Sequence, residues 1–351
     1  MNRIILIGNG FDLAHDLKTS YKNFIDDFWE KQVNKMLSTS KREKEIDIFT
    51  YEDNFVEANA PNSIWELIKK TTDTKYKGYN LFLTFVPPPV KDIGITKLDR
   101  TSFVCKNTFL QRISEKHTLE KWVDIEYEYY QALIECLENE DEAKKLNGDF
   151  NQIKTNLENY LGEQNKRNII MSNNILDIFF SGTEEKDIVF FLNFNYTKTI
   201  HHYTNRRKNV KTINIHGELN NHQNPIIFGY GDELDDNYKN IEKTNNKSFL
   251  ENVKSIKYSI TNNYREMLAF LNGEEYEVFI IGHSCGLSDR TLLNTIVEHK
   301  NCKLVKIFYH QIDPITDNYL ETYINLSRNF NDKKLLRAIV LSKENSVPLL
   351  F

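Results

Sequence analysis

Residues 1–17 read MNRIILIGNGFDLAHDL. Four apolar residues, Ile4 to Ile7, run straight into Gly8-Asn9-Gly10, and Phe11-Asp12 follow. A short, β-branched run closed by glycine has the make-up of a fully buried strand. Two glycines one residue apart at its end allow a tight turn and let backbone N–H groups come close to a phosphate. The dinucleotide fingerprint G-x-G-x-x-G is incomplete, because position 13 is Leu. The acidic residue expected about 20 positions later, at a second strand end, is missing too. That region reads as a helix instead. Thr19-Ser20 can cap it, and Tyr21, Phe24, Ile25, Phe28, Trp29, Val33 and Met36 recur mostly at spacings of three and four. On these residues alone, a structural strand-to-helix turn and a nucleotide turn are equally good readings.

From residue 187 onward short apolar runs alternate with longer mixed segments. The runs are IVFFLNF (188–194), VKTINI (210–215), PIIFGY (225–230), YEVFIIG (276–282) and KLVKIFYH (303–310). With RIILIG they make six candidate strands and predict an α/β fold with a mostly parallel sheet. Residues 119–137 and 139–185 read as helical, and Val86-Pro87-Pro88-Pro89-Val90 is a break. The expected organisation is an α/β core from residues 1–18 and 187–351, with residues 19–186 as a mainly helical insertion or cap.

Composition narrows the function classes. The chain has 351 residues, 40% of them hydrophobic and 12% aromatic, enough for a substantial core. Its 45 basic and 50 acidic residues leave a net charge of −5, which argues against a general polyanion binder. Nucleic acid is not excluded, since RRKNVK (206–211) is a compact basic cluster, although a solvated helix end explains it more simply. Cys105, Cys136, Cys285 and Cys302 form no C-x-x-C pair, so neither a metal site nor a disulfide framework is expected. With no targeting segment and no span of about 20 apolar residues, a cytoplasmic protein away from the membrane is expected.

The polar residues worth naming fall at strand ends. They are Gly8-Asn9-Gly10-Phe11-Asp12, Asn193-Phe194-Asn195-Tyr196-Thr197, His216-Gly217-Glu218, Gly229-Tyr230-Gly231-Asp232 and Gly282-His283-Ser284-Cys285-Gly286. In an open parallel sheet all carboxyl strand ends share one edge, where ligands bind, so five distant motifs are expected to meet at one crevice. Asn195 and His216 each have an ordinary structural explanation when taken singly. Together at one edge they suit glycosidic-bond cleavage. An amide can hold a water or a ribose hydroxyl, and a neutral imidazole can accept a proton near pH 7.

The segments ILIGNGFDLAHDLKTSYKNF (5–24), WVDIEYEY (122–129), NFNYTKTI (193–200), INIHGELN (213–220) and IIGHSCGLSDRTLLNTI (280–296) resemble the bacteriophage abortive-infection AbiH family. The resemblance implies anti-phage defence. That family is in turn similar to the sirtuin-like, Rossmann-like NAD-binding fold. By that similarity Gly8 and Gly10 match the glycine turn, Asn195 the Asn of a T-x-N-x-D type motif, His216 the later His, and Gly282-His283-Ser284 a loop that contacts the nucleotide. Thr197 stands where that motif has Asp. The resemblance implies NAD as substrate, hydrolysed to nicotinamide and ADP-ribose. Asn195 and His216 would be catalytic, and Gly8, Asn9, Gly10, Phe11, Asp12, Gly282, His283, Ser284 and Asp289 would bind the nucleotide, with no metal. A phage-derived trigger and a homo-oligomer are the further partners it allows.

Three other readings stay open. G-x-S-x-G at residues 282–286 fits a serine-hydrolase elbow, with Asp289 or Asp313 as acid and His299 or His310 as base. A metal-dependent nuclease would use Asp124 and Glu128, which share a helix face as Asp124 and Glu126 cannot, together with Asp12 or Asp232. A non-catalytic nucleotide sensor would use the crevice as a switch.

Overall fold

The computed structural model describes residues 1–44, 47–63, 65–66, 102–120, 124–204, 207–231, 233 and 236–349. Trp122, Arg206, Asp232 and the proline break at 87–89 lie outside the described residues. The chain divides into two compact units, one of residues 1–20, 129–144 and 157–351, the other of residues 21–128 and 145–156.

In the first unit β1 (Asn2–Ile7) is the buried strand read from the opening stretch. The second unit supplies β2 (Lys41–Glu43), β3 (Ile48–Glu52), β4 (Val56–Pro61) and β5 (Ser102–Cys105), and the first unit continues with β6 (Val189–Asn193), β7 (Val210–Asn214), β8 (Tyr276–Ile281), β9 (Cys302–Tyr309) and β10 (Val347–Pro348). The six strands of the first unit form one sheet in the order β10-β9-β8-β1-β6-β7, every pairing parallel. Counted along the chain from the β7 edge, that order is 3-2-1-4-5-6, the arrangement of doubly wound dinucleotide folds. β1 is central, with Ile5 opposite Phe191 on one side and Phe279 on the other.

Alternation along the strands supplies two apolar faces. Ile4, Leu6, Leu192, Val278, Ile280 and Ile307 pack with Met267, Leu271, Leu293 and Leu326 from helices on one side. Ile5, Ile7, Val189, Phe191 and Ile281 pack with Phe11, Ile175, Phe179 and Tyr203 on the other. Helices cover both faces, which is why these strands read as continuous apolar runs. The helix Asn173–Phe180 serves the second face, whereas Asn263–Leu271 and Arg290–Val297 serve the first. The winding therefore reverses between β1 and β8, and the crevice outside their carboxyl ends is the topological switch point.

One predicted strand is not a strand. Ile226, Ile227 and Phe228 are buried, yet the segment 225–230 forms no strand: Ile227 N–H donates to the His216 carbonyl, and Tyr230 makes an isolated bridge with Val253. Pro225 has no N–H to give a ladder. The sixth strand is β10, two residues beside β9, too short to register as a run.

In the second unit β2, β3, β4 and β5 form an antiparallel sheet within the region read as mainly helical. The helix Tyr21–Thr39 lies where expected, with Phe24, Ile25, Phe28, Trp29, Val33 and Met36 buried. β4 escapes notice because its inward residues are small. Val56, Ala58 and Ala60 alternate with Glu57 and Asn59, and the segment reads as polar. Asp53 closes the β3–β4 turn, its Oδ1 accepting the N–H groups of Phe55 and Val56, both at 2.8 Å.

At the switch point the two loops touch backbone to backbone. Gly8 N–H donates to the Ile281 carbonyl and Gly10 N–H to the Gly282 carbonyl, at 3.1 and 2.7 Å. A Cβ on Gly10 would lie 2.8 Å from the Gly282 Cα, and one on Gly282, whose φ is +66°, would lie 2.2 Å from the Phe11 nitrogen. The Gly8 and Gly10 N–H groups are thus taken up in binding the β1 turn to the β8 turn. Gly10→Ala is expected to destabilise the protein by about 1–3 kcal/mol, as overpacking against backbone does. Urea denaturation measures it, and an unchanged midpoint would mean that the turns are free to separate.

Candidate active site at the switch point

His216 follows β7, His283 follows β8, and Asp289 precedes the helix Arg290–Val297. The fold brings both histidines to the Asp289 carboxylate. His216 Nε2 lies 3.1 Å from Asp289 Oδ1, and His283 Nε2 lies 3.6 Å from Asp289 Oδ2. Lys254, 0% exposed, puts its Nζ 2.8 Å from Asp289 Oδ1. Tyr258 places its hydroxyl 3.2 Å from His216 Nε2. The Phe194 ring contacts both imidazoles, with centroids 5.1 Å from His216 and 4.2 Å from His283.

Burial and charge set the protonation of this cluster. Burial raises the Asp289 carboxyl, but Lys254 and then His216 outweigh it and hold the group well below the usual carboxylate range. Burial, followed by Lys254, lowers His216. Burial pushes His283 down to about 4. Its Nδ1 accepts the Cys285 N–H at 3.0 Å, which leaves the proton on Nε2, facing Asp289. The cluster is therefore an ammonium–carboxylate pair with two neutral imidazoles beside it. A proton arriving at His216 would be held by Asp289 Oδ1.

A second polar group lies at the ends of β1 and β6. Asn195 Nδ2 donates to the Gly8 carbonyl at 3.0 Å. Thr197 Oγ1 donates to Asp12 Oδ2 at 2.5 Å, so the residue standing in place of the motif Asp meets a carboxyl from another loop. Asp12 is 1% exposed, and its Oδ1 is buried without a hydrogen-bond partner. Burial raises its pKa from 3.8 to about 6, against the opposing pull of Thr197, Thr199 and Asn195. The sign of the linkage follows. The folded protein keeps this proton to higher pH than the unfolded chain, so the associated stability is full below about pH 4 and is lost as pH rises through about 6. The loss amounts to about 3 kcal/mol. Asp12→Asn cannot ionise, so its stability relative to wild type is expected to rise by that amount between pH 4 and pH 8. Parallel stability curves for the two proteins would contradict this.

The other site residues are placed as follows. Asn9 Oδ1 accepts from Thr19 Oγ1 at 2.5 Å. Phe11 is core, packed on His15, Phe179 and Tyr203. Ser284 is exposed, and its carbonyl accepts from Asn325, while Asn329, one turn on, donates to the Cys285 carbonyl. Cys285 is held at φ +55°, the strained position of this loop. Asn195 turns to Gly8 while His216 turns to Asp289 and Tyr258. Lys254 and Tyr258 carry no signal in the sequence, because KSIKY (254–258) is neither a strand end nor a motif.

The alternative constellations are engaged elsewhere. Asp313 Oδ1 accepts the N–H groups of Ile315 and Thr316, His299 Nδ1 accepts the Asn301 N–H, and Asp289 belongs to Lys254 and the histidines. In the second unit Asp124 caps the helix Ile125–Glu135 through Glu126 and Tyr127 N–H, and Glu128 is ion-paired with Arg112 and Lys116. Among the described residues no helix is long and apolar enough to cross a membrane.

The strand order defines a doubly wound α/β protein, with two buried polar clusters at the carboxyl edge of its parallel sheet. The family model described as "Bacteriophage abortive infection AbiH" matches residues 4–311, and the chain belongs to that family. Membership gives it a role in abortive infection, a defence against phage. No curated protein and no solved structure matches the chain.

Proposed function

We propose that the protein carries out its defence role by hydrolysing NAD to nicotinamide and ADP-ribose at the switch-point crevice. The observation that carries this reading is the buried His216–Asp289–Lys254 cluster beside the β1 glycine turn, in a sheet whose order is that of dinucleotide folds. The chemistry needs little from the protein. Nicotinamide leaves as a neutral base when the C1′–N bond breaks, so no acid need protonate it. Positive charge develops on the ribose, and water adds at C1′ and must lose a proton. His216, kept neutral by burial and by Lys254, is suited to take that proton, with Asp289 stabilising the imidazolium. Asn195 would orient the ribose or the water. The test is incubation of purified protein with NAD, alone and with phage lysate, and chromatography of the products. Release of nicotinamide and ADP-ribose in equal amounts is expected. A wild type that protects cells while releasing neither would sink the reading.

A further inference from the structure

Doubly wound folds that bind dinucleotides hold a ribose hydroxyl with an acidic side chain at the end of the second strand. Here the second strand is β6, and the residues after it, Phe194-Asn195-Tyr196-Thr197, include no carboxylate. The structure brings one there from elsewhere. Asp12, in the helix Asn9–Ala14 that follows β1, reaches across to Thr197. Only one of its oxygens is used. Oδ2 accepts from Thr197, while Oδ1 is buried with no partner. A buried carboxylate oxygen left unpaired costs free energy that a purely structural residue would avoid by being Asn or Ser.

We propose that Asp12 Oδ1 is the acceptor for a ribose hydroxyl of the bound nucleotide, supplied by the β1 loop to the end of β6. This rests on the reading of the crevice as a nucleotide site and names the part of the nucleotide that Asp12 recognises. A hydroxyl reaches Oδ1 only if a neighbouring side chain turns aside. Asn195, which borders the carboxyl and is hinged at the Gly8 carbonyl, is placed to do so. A hydroxyl donating to a carboxylate makes a charge-assisted bond, stronger than a neutral one. Loss of that bond is the quantity to measure.

The experiment is calorimetric titration of wild type and Asp12→Asn with ADP, 2′-deoxy-ADP and 3′-deoxy-ADP at pH 8. Wild type is expected to bind ADP about 10- to 100-fold more tightly than at least one deoxy analogue. Asp12→Asn should shrink that ratio to about twofold or less while its melting temperature at pH 8 is unchanged or higher. A wild-type ratio below about twofold, a ratio that survives in Asp12→Asn, or no binding of ADP would each overturn the proposal. A lowered melting temperature with an unchanged ratio would make Asp12 a structural residue. Failure of nicotinamide release with the ribose discrimination intact would remove the hydrolysis reading and leave this one standing.

Discussion

His216→Ala is expected to cut nicotinamide release at least ~100-fold while the protein stays folded, because general acid–base help is worth roughly 10²–10⁴-fold. The imidazole lies 3.1 Å from the Asp289 carboxylate and 3.2 Å from the Tyr258 hydroxyl. Removing it leaves the Lys254–Asp289 pair in place, so no charge is stranded. The measurement is turnover at saturating NAD, with circular dichroism and a melting curve as the check on folding. Phage protection should fall with turnover across His216→Ala and Asn195→Ala. A folded His216→Ala protein that releases nicotinamide at the wild-type rate would remove His216 from the chemistry.

Asp289→Ala is expected to cost about 3–5 kcal/mol of stability, the usual result of removing one member of a buried ion pair. Lys254 is fully buried, and its ammonium would lose the carboxylate 2.8 Å away. The asymmetry of buried pairs supplies a control. Replacing both members with apolar side chains of similar size strands no charge and is often neutral or stabilising. The double variant Lys254→Met/Asp289→Leu should therefore recover most of what Asp289→Ala loses in urea denaturation, and it should be inactive. A double variant as unstable as the single one would mean that the cost lies in packing around Asp289 and not in the broken ion pair.

The members of this cluster differ in how far the sequence announces them. His216 and Asp289 both sit in recognisable stretches, INIHGELN and IIGHSCGLSDRT, each beside a strand made visible by its apolar run. Lys254 lies in a four-residue helix between strands, Lys254–Lys257, and nothing in its neighbours marks it as buried. The same contrast holds in the fold. β1, β6 and β8 are legible because strands covered on both faces are mostly apolar, and β7 and β9 because apolar residues remain beside Lys211, Lys303 and Lys306. Residues 225–230 carry the same texture without the pairing, since apolar content reports burial and not hydrogen-bond partners. β2 and β4 carry the pairing without the texture.

What the sequence by itself determined was local and compositional: buried strands ending in glycine and polar residues, a parallel sheet, and hence one edge at which distant motifs meet. Burial of an apolar run and tolerance of φ > 0 are properties of a few neighbouring residues, so they can be read in order along the chain. Only the tertiary structure decided which polar atoms face one another. It placed Lys254 on Asp289, brought Asp12 from the β1 loop to Thr197 at the end of β6, and spent the Gly8 and Gly10 N–H groups on the β8 turn. Those contacts join segments tens to hundreds of residues apart. Their partners are chosen by strand order and by the desolvation that makes a lone buried charge or hydrogen-bonding group costly, neither of which leaves a mark at a single position.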